Sequence, residues 1–133
     1  MTVLLDTHVW IWAVEAPENL GRRTTGLLEA TGNSLAVSTM TVLEIARLVF
    51  LRRVKLGEEA AEWIADAQRA LSVMFMDLTS DVAAAAYDLP GSFHKDPVDR
   101  VLVATARLHD LTLVTADDLI LRYRHVKSFD ARK

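Results

Sequence analysis

Thr2-Val3-Leu4-Leu5-Asp6-Thr7-His8-Val9-Trp10-Ile11-Trp12-Ala13-Val14-Glu15 is the stretch on which the fold turns. Thr2 to Leu5 is a short apolar run of β-favouring residues that stops at an acid, and Thr7 to Glu15 reads as a helix, so the order is strand, acid, helix. In an open parallel sheet such turns gather at the carboxyl edge of the strands, where ligands usually bind. Asp6 is therefore a candidate site residue, beside its plainer role as a helix cap.

The same grammar continues along the chain. A second helix is predicted from about Leu20 to Ala30, stopped by Gly32-Asn33, and Leu35 to Val37 is a second buried strand. Ser38, Thr39 and Thr41 offer caps for a third helix over Thr41 to Arg53. That helix is apolar over most of its circumference, up to a basic end at Arg52-Arg53-Val54-Lys55, and is expected to be deeply packed. Glu58 to Leu71 reads as a helix, Val73 to Met76 as a third strand, and Ser80 to Leu89 as an Ala-rich helix closed by Pro90-Gly91. Pro97 to His109 then puts Val98, Val101, Leu102, Thr105 and Leu108 on one face at helical spacing, a face that should lie on a sheet. Leu111 to Val114 is a fourth strand, Asp117 to Tyr123 a short helix, and Val126 to Ser128 a weak last strand. Strands alternating with helices argue for a parallel α/β sandwich.

Bulk properties bound the function. With 133 residues and 51% hydrophobic content the chain fits one domain over 1–133, and no Pro-, Gly- or Ser-rich stretch suggests a linker. The absence of cysteine excludes disulfides, thiolate nucleophiles, zinc ribbons and iron-sulfur clusters. Apolar runs are too short or too charged to span a bilayer, and the N-terminus lacks the basic flank and cleavage site of a signal peptide, so a soluble, cytoplasmic protein is expected. A net charge of −3 shows no domain-wide basic surface, so any work on nucleic acid must rest on local features.

Three further acids repeat the placement of Asp6. Glu44 lies near the start of the third helix, Asp99 in the first turn of the helix opened by Pro97, and Asp117 at a strand-to-helix turn. Each alone is accounted for by capping and the helix dipole. Thr41-Val42-Leu43-Glu44 reads as a capping box, and Asp96-Pro97-Val98-Asp99 as an N-cap, a Pro at the first helical position and an acid in the first turn. Glu44 shifts the balance, because a carboxylate inside a buried helix needs a partner. Arg47 at i+3 is one answer, and a divalent cation shared with the other acids is the other. Carboxylates without cysteine or a histidine pair at ligand spacing suit hard cations, Mg²⁺ or Mn²⁺, which commonly act on phosphates.

Three patterns resemble the PIN-domain nucleases, and within them the VapC toxins of bacterial toxin–antitoxin pairs: Leu4-Leu5-Asp6-Thr7-His8-Val9-Trp10, His94-Lys95-Asp96-Pro97-Val98-Asp99-Arg100-Val101-Leu102-Val103-Ala104, and Leu113-Val114-Thr115-Ala116-Asp117. With the segment from Ser38 to Glu44 between them, the resemblance spans nearly the whole chain. It implies a three-layer α/β/α sandwich with a small central parallel sheet, and matches the family's four acids to Asp6, Glu44, Asp99 and Asp117. Val98 stands where the family usually has an aromatic, and Leu43 where it often has Trp or similar bulk. Asp96 matches a recurrent acid of the subgroup, for which the N-cap reading is preferred.

The resemblance implies an endoribonuclease that holds one or two Mg²⁺ ions on Asp6, Glu44 and Asp99, with Asp117 completing the site, and leaves a 5′-phosphate and a 3′-hydroxyl. It also implies a homodimer and a VapB-type antitoxin. Thr7 and Thr115, next to acid positions, are candidates for contact with metal-bound water or phosphate, with capping an equal account. Because carboxylates repel a polyanion, Arg52, Arg53, Lys55 and Arg100 are candidates for attracting RNA, against a reading as solvated charge at helix ends. His8 and His94 rank below these, and Trp10, Trp12 and Trp63 read first as packing. The rivals are a PIN nuclease of RNA processing and a metal-free PIN module that binds RNA or protein; the four acids count against the second. An aspartate-nucleophile phosphatase would need an acid where His8 stands, and a receiver an acid pair at the first strand and a lysine after a late one.

Overall fold

The computed structural model describes residues 1–133. Its strands are β1 (Thr2–Leu5), β2 (Ser34–Ser38), β3 (Met74–Met76), β4 (Thr112–Thr115) and β5 (Ser128–Asp130). The helices are α1 (Thr7–Glu15), α2 (Arg22–Glu29), α3 (Thr39–Phe50), α4 (Ala60–Leu71), α5 (Ser80–Ala85), α6 (Pro97–Leu108) and α7 (Asp118–Leu121). All strand pairings are parallel, in the order β3-β2-β1-β4-β5. The chain winds outward from β1 to β3, then crosses back to lay β4 on the other side of β1. The winding reverses between β1 and β4, and in open parallel sheets that switch point is where a ligand crevice opens.

Strand periodicity divides the core into two layers. Val3, Leu5, Leu35, Val37 and Val114 face one side with Val9, Trp10, Ile45 and Trp63. Leu4, Ala36 and Leu113 face the other with Leu102, Val103 and Ile120. Successive residues of a strand point to opposite faces, so apolar runs of four or five residues serve both layers. The result is the three-layer α/β/α sandwich with a small central parallel sheet. Trp10 anchors the first layer with its ring edge-on to Trp63 at 5.3 Å and to Phe75 at 6.2 Å, contacts worth about 0.5–1.5 kcal/mol each beyond their burial. No helix is long and apolar enough to cross a membrane.

Several boundaries differ from the sequence reading, each for a local reason. α3 begins at Thr39, because Ser38 is the cap, its Oγ accepting from Met40 N at 3.0 Å, and Thr41 lies inside the first turn. The Thr41–Glu44 capping box does not form. The helix stops at Phe50 where Arg52 turns left-handed (φ 58°), with Arg52 N donating to Val49 O and Arg53 N to Leu48 O, a Schellman cap on a residue other than glycine. α5 ends at Ala85, tightening into i+3 bonds from Tyr87 and Asp88 ahead of Pro90. The last strand starts at Ser128, set by the pairing of Ser128 with Leu113 and Asp130 with Thr115.

Burial also departs from pattern. The third helix is not deeply packed: Leu43 is 59% and Phe50 84% exposed, since no element covers the outer face of α3. On α6, Val101, Leu102 and Thr105 are buried as expected, but Leu108 is 52% exposed. Val103 and Ala106 are buried as well, in the layer against Leu4 and Leu113, and Ala104 is covered on the opposite side of α6 by Val82 of α5 and by Ala86 just after it.

Candidate active site

The carboxyl ends of β1 and β4 open into a cleft of about 370 Å³ whose lining includes Asp6, Glu44, Asp96, Asp99 and Asp117. Helix starts deliver all of them but Glu44, which comes from the second turn of α3. Asp6 caps α1, with Thr7 N donating to Oδ1 at 2.7 Å. Asp96 caps α6 through a bond from Asp99 N at 3.0 Å, which places Asp99 in the first turn. Asp117 caps α7, its Oδ1 accepting from Leu119 N at 2.8 Å and Ile120 N at 3.2 Å. Capping and convergence are one arrangement, since three helices begin at a single sheet edge and their N-terminal dipoles favour negative charge there.

Thr115 ties two of these acids together. Its hydroxyl donates to Asp6 Oδ2 at 2.6 Å and accepts from Asp117 N at 3.0 Å, linking the end of β1 to the start of α7. Thr115 is fully buried and Thr7 nearly so, and the Thr7 hydroxyl donates to Thr41 Oγ1 at 3.4 Å. Both threonine hydroxyls hold neighbouring groups in place, and Thr7 also lines the cleft. Glu44 reaches the cleft from α3 but is only half-buried, and Arg47 makes no ion pair with it. The premise that Glu44 is buried and needs a partner does not hold; its place in the cleft is what joins it to the other acids.

His94, ranked low from sequence, lies against the site. Its Nε2 is within hydrogen-bond distance of Asp99 Oδ2, at 2.7 Å, and its buried Nδ1 has no hydrogen-bond partner. The loop holding His94 is pinned by Arg100, which donates to Ala86 O at 2.9 Å, Phe93 O at 2.7 Å and His94 O at 2.7 Å. Arg100 thus faces the protein's own carbonyls. Arg52 and Arg53 lie at the far end of α3, outside the acid cleft. Of the tryptophans, Trp10 and Trp63 are core, whereas Trp12 lines the cleft with His8.

The electrostatics are those of crowded carboxylates. Burial, and then the charges of Asp6, Asp96, Asp117 and Glu44, push the Asp99 carboxyl up to about 8. Burial also raises Asp6, against the lowering effect of its bonds from Thr115 and Thr7. The lining contains no Lys or Arg to offset this charge.

Hard oxygen donors that repel one another fit a divalent cation better than any internal partner, and this donor set suits Mg²⁺ or Mn²⁺. As the side chains stand, no three acids approach a common point closely enough to hold an ion.

Residues 3–126 match the PIN domain family along nearly the whole chain. The chain belongs to the PIN-domain family. Among its PIN-domain relatives it is 37% identical to Ribonuclease VapC22 of Mycobacterium tuberculosis (strain ATCC 25618 / H37Rv) over 124 residues, 93% of each chain. The PIN fold is also that of VapBC2 from Rickettsia felis, solved bound to a DNA fragment from their promoter, with a TM-score of 0.72 at 18% identity over 97% of this chain and 98% of that one. A toxin–antitoxin complex from Klebsiella pneumoniae gives a TM-score of 0.66 at 23% identity over 97% of each chain.

Proposed function

We propose that this PIN-domain chain is a Mg²⁺-dependent endoribonuclease and the toxin of a VapBC-type pair, acting on RNA in the cytoplasm. The observation that carries the reading is the convergence of Asp6, Glu44, Asp99 and Asp117 on one cleft at the switch point of the sheet. Support for the class of activity comes from the similarity to Ribonuclease VapC22.

Asp6, Glu44 and Asp99 would hold the cation, with Asp117 completing the site. When bound, Mg²⁺, or Mn²⁺ in its place, supplies a Lewis acid for the phosphodiester and lowers the pKa of the attacking water. The protein's own part is positioning. Thr115 fixes Asp6 relative to Asp117, and His94 fixes one oxygen of Asp99. Glu44 reaches the cleft from α3 with no ion pair of its own, which leaves its carboxylate free for the cation.

A VapB-type antitoxin and a second copy of the chain are the proposed partners. The solved relatives include toxin–antitoxin complexes, and the outer face of α3 leaves Leu43 and Phe50 uncovered, surface of the kind protein partners bury. Cleavage of an RNA panel in Mg²⁺, Mn²⁺ or EDTA, comparing wild type with Asp6→Ala and Asp99→Ala, tests the reading. Activity that survives EDTA or both substitutions overturns it.

A further inference from the structure

Beyond the wall formed by His94 and α7 lies a second cavity of about 380 Å³, large enough for a small ligand. Its lining is the reverse of the acid cleft. Arg122, Arg124 and His125 contribute to it, and no carboxylate does. Arg122 and Arg124 are exposed and form no ion pair, although the neighbouring Arg132 is held by Asp118 and Asp130. The rest is aromatic. Phe93 packs on Tyr123 with ring centres 4.8 Å apart, Tyr123 on His125 at 5.4 Å, and the Tyr123 hydroxyl donates to Pro90 O, fixing the middle ring. Tyr123 is buried while Phe93 and His125 are partly exposed at its two sides.

The two cavities are joined through shared structure. His94 lines the second and touches Asp99 of the first. α7 presents Asp117 to the acid cleft from its cap, and Leu119 and then Arg122 to the other cavity. A flexible chain with a phosphate in the acid cleft would have this cavity on the other side of one shared wall.

On the ribonuclease reading above, we propose that this cavity is a subsite for a nucleotide of single-stranded RNA adjacent to the scissile phosphate. Arg122 and Arg124 hold backbone phosphate, and the base stacks on Phe93 or His125. Unpaired guanidinium groups beside partly exposed rings are the combination that binds single strands without sequence readout. The subsite also supplies the positive charge that the acid cleft lacks.

The test is binding of a fluorescein-labelled, mixed-sequence single-stranded oligoribonucleotide to the full chain in EDTA, read by anisotropy across a salt series. The Arg122→Ala/Arg124→Ala variant should bind roughly tenfold more weakly or worse, with the slope of log Kd against log salt reduced by about 0.7 for each lost phosphate contact. Arg52→Ala/Arg53→Ala should leave both unchanged. Both double substitutions fall on exposed side chains, and a thermal melt confirms folding. As a check independent of substitution, photocrosslinked 4-thiouridine RNA should map to Phe93 or His125.

Unchanged affinity and slope in the Arg122/Arg124 variant, or crosslinks confined to the end of α3, overturn the subsite. So does an outcome in which that variant keeps its RNA affinity but loses affinity for an Asp/Glu-rich peptide. Weakened RNA binding supports the subsite even where wild type yields no cleavage in Mg²⁺, a result that would instead overturn the nuclease reading.

Discussion

The acid cleft and the arginine-lined cavity are of nearly equal size, about 370 and 380 Å³, and share the His94–α7 wall, yet they divide the charged residues almost completely. The first collects carboxylates on helix starts and has neither Lys nor Arg; the second has arginines and no acid. A single mixed site would have let the two signs neutralise each other as ion pairs. Separation keeps the carboxylates available to a cation and the guanidinium groups available to phosphate. The net charge of −3 conceals this, because a balance over the whole chain says nothing about how charge is sorted locally.

The comparison breaks most sharply on the acidic side. Asp99→Ala should lower RNA cleavage by about 100-fold or more in a steady-state assay, while leaving RNA affinity in EDTA within a few-fold of wild type. The Arg122/Arg124 pair should show the opposite division, a raised KM with kcat little changed. Equal losses of both parameters in both variants would mean that the two cavities are one site.

Thr115→Val should come next, lowering cleavage about 10- to 100-fold by unfastening Asp6 from Asp117, as loss of supporting partners does at metal sites. Retained RNA binding in EDTA separates that loss from misfolding. Rates equal to wild type would show that the hydroxyl only completes the buried hydrogen bonding of β4.

A smaller effect should appear in the pH dependence of stability. Asp99 has its carboxyl raised from 3.8 to about 8 in the folded chain, so its contribution is fully present below pH 3.8 and is lost as pH rises through 8. The raised Asp6 acts in the same direction. In EDTA the melting temperature of wild type should therefore fall between pH 5 and 8.5 relative to Asp99→Asn, and the stabilisation by added Mg²⁺ should grow over the same range. Parallel melting curves for wild type and Asp99→Asn would refute the account of Asp99.

Least of all should change at the far end of α3. Arg52→Gly relieves a left-handed backbone position and is expected to stabilise the fold by roughly 0.5–1 kcal/mol in chemical denaturation, with cleavage unaltered. A large loss of cleavage would move the RNA path to that end and away from Arg122.

Local chemistry made much of this legible from sequence. β1, Asp6 and α1 stand where the opening stretch put them, because an apolar run, a capping acid and a helical pattern are properties of adjacent residues. Asp99 and Asp117 reach the same edge for the same reason, whereas Glu44 comes from the second turn of α3. What escaped were relations between distant residues. The bond from Thr115 to Asp6 spans 109 positions, and nothing near His94 tells that its ring closes on Asp99. Glu44 shows the converse error, since an apolar helix announces surface that prefers cover without saying whether this chain supplies it. Arg100 and Arg122 look alike in sequence as basic residues of helices, and only the loop carbonyls around the first tell a structural clamp from a free cation.

That clamp bears on the timing of recognition. One guanidinium gathers carbonyls from Ala86, Phe93 and His94, so the segment dividing the cavities is held in place before any ligand arrives. Ordering a loose loop on binding would subtract from affinity, roughly 0.5–1.5 kcal/mol for each side chain immobilised. Here that entropy is given up at folding, so on the ribonuclease reading a strand of RNA would meet a partition already in place and bend around it.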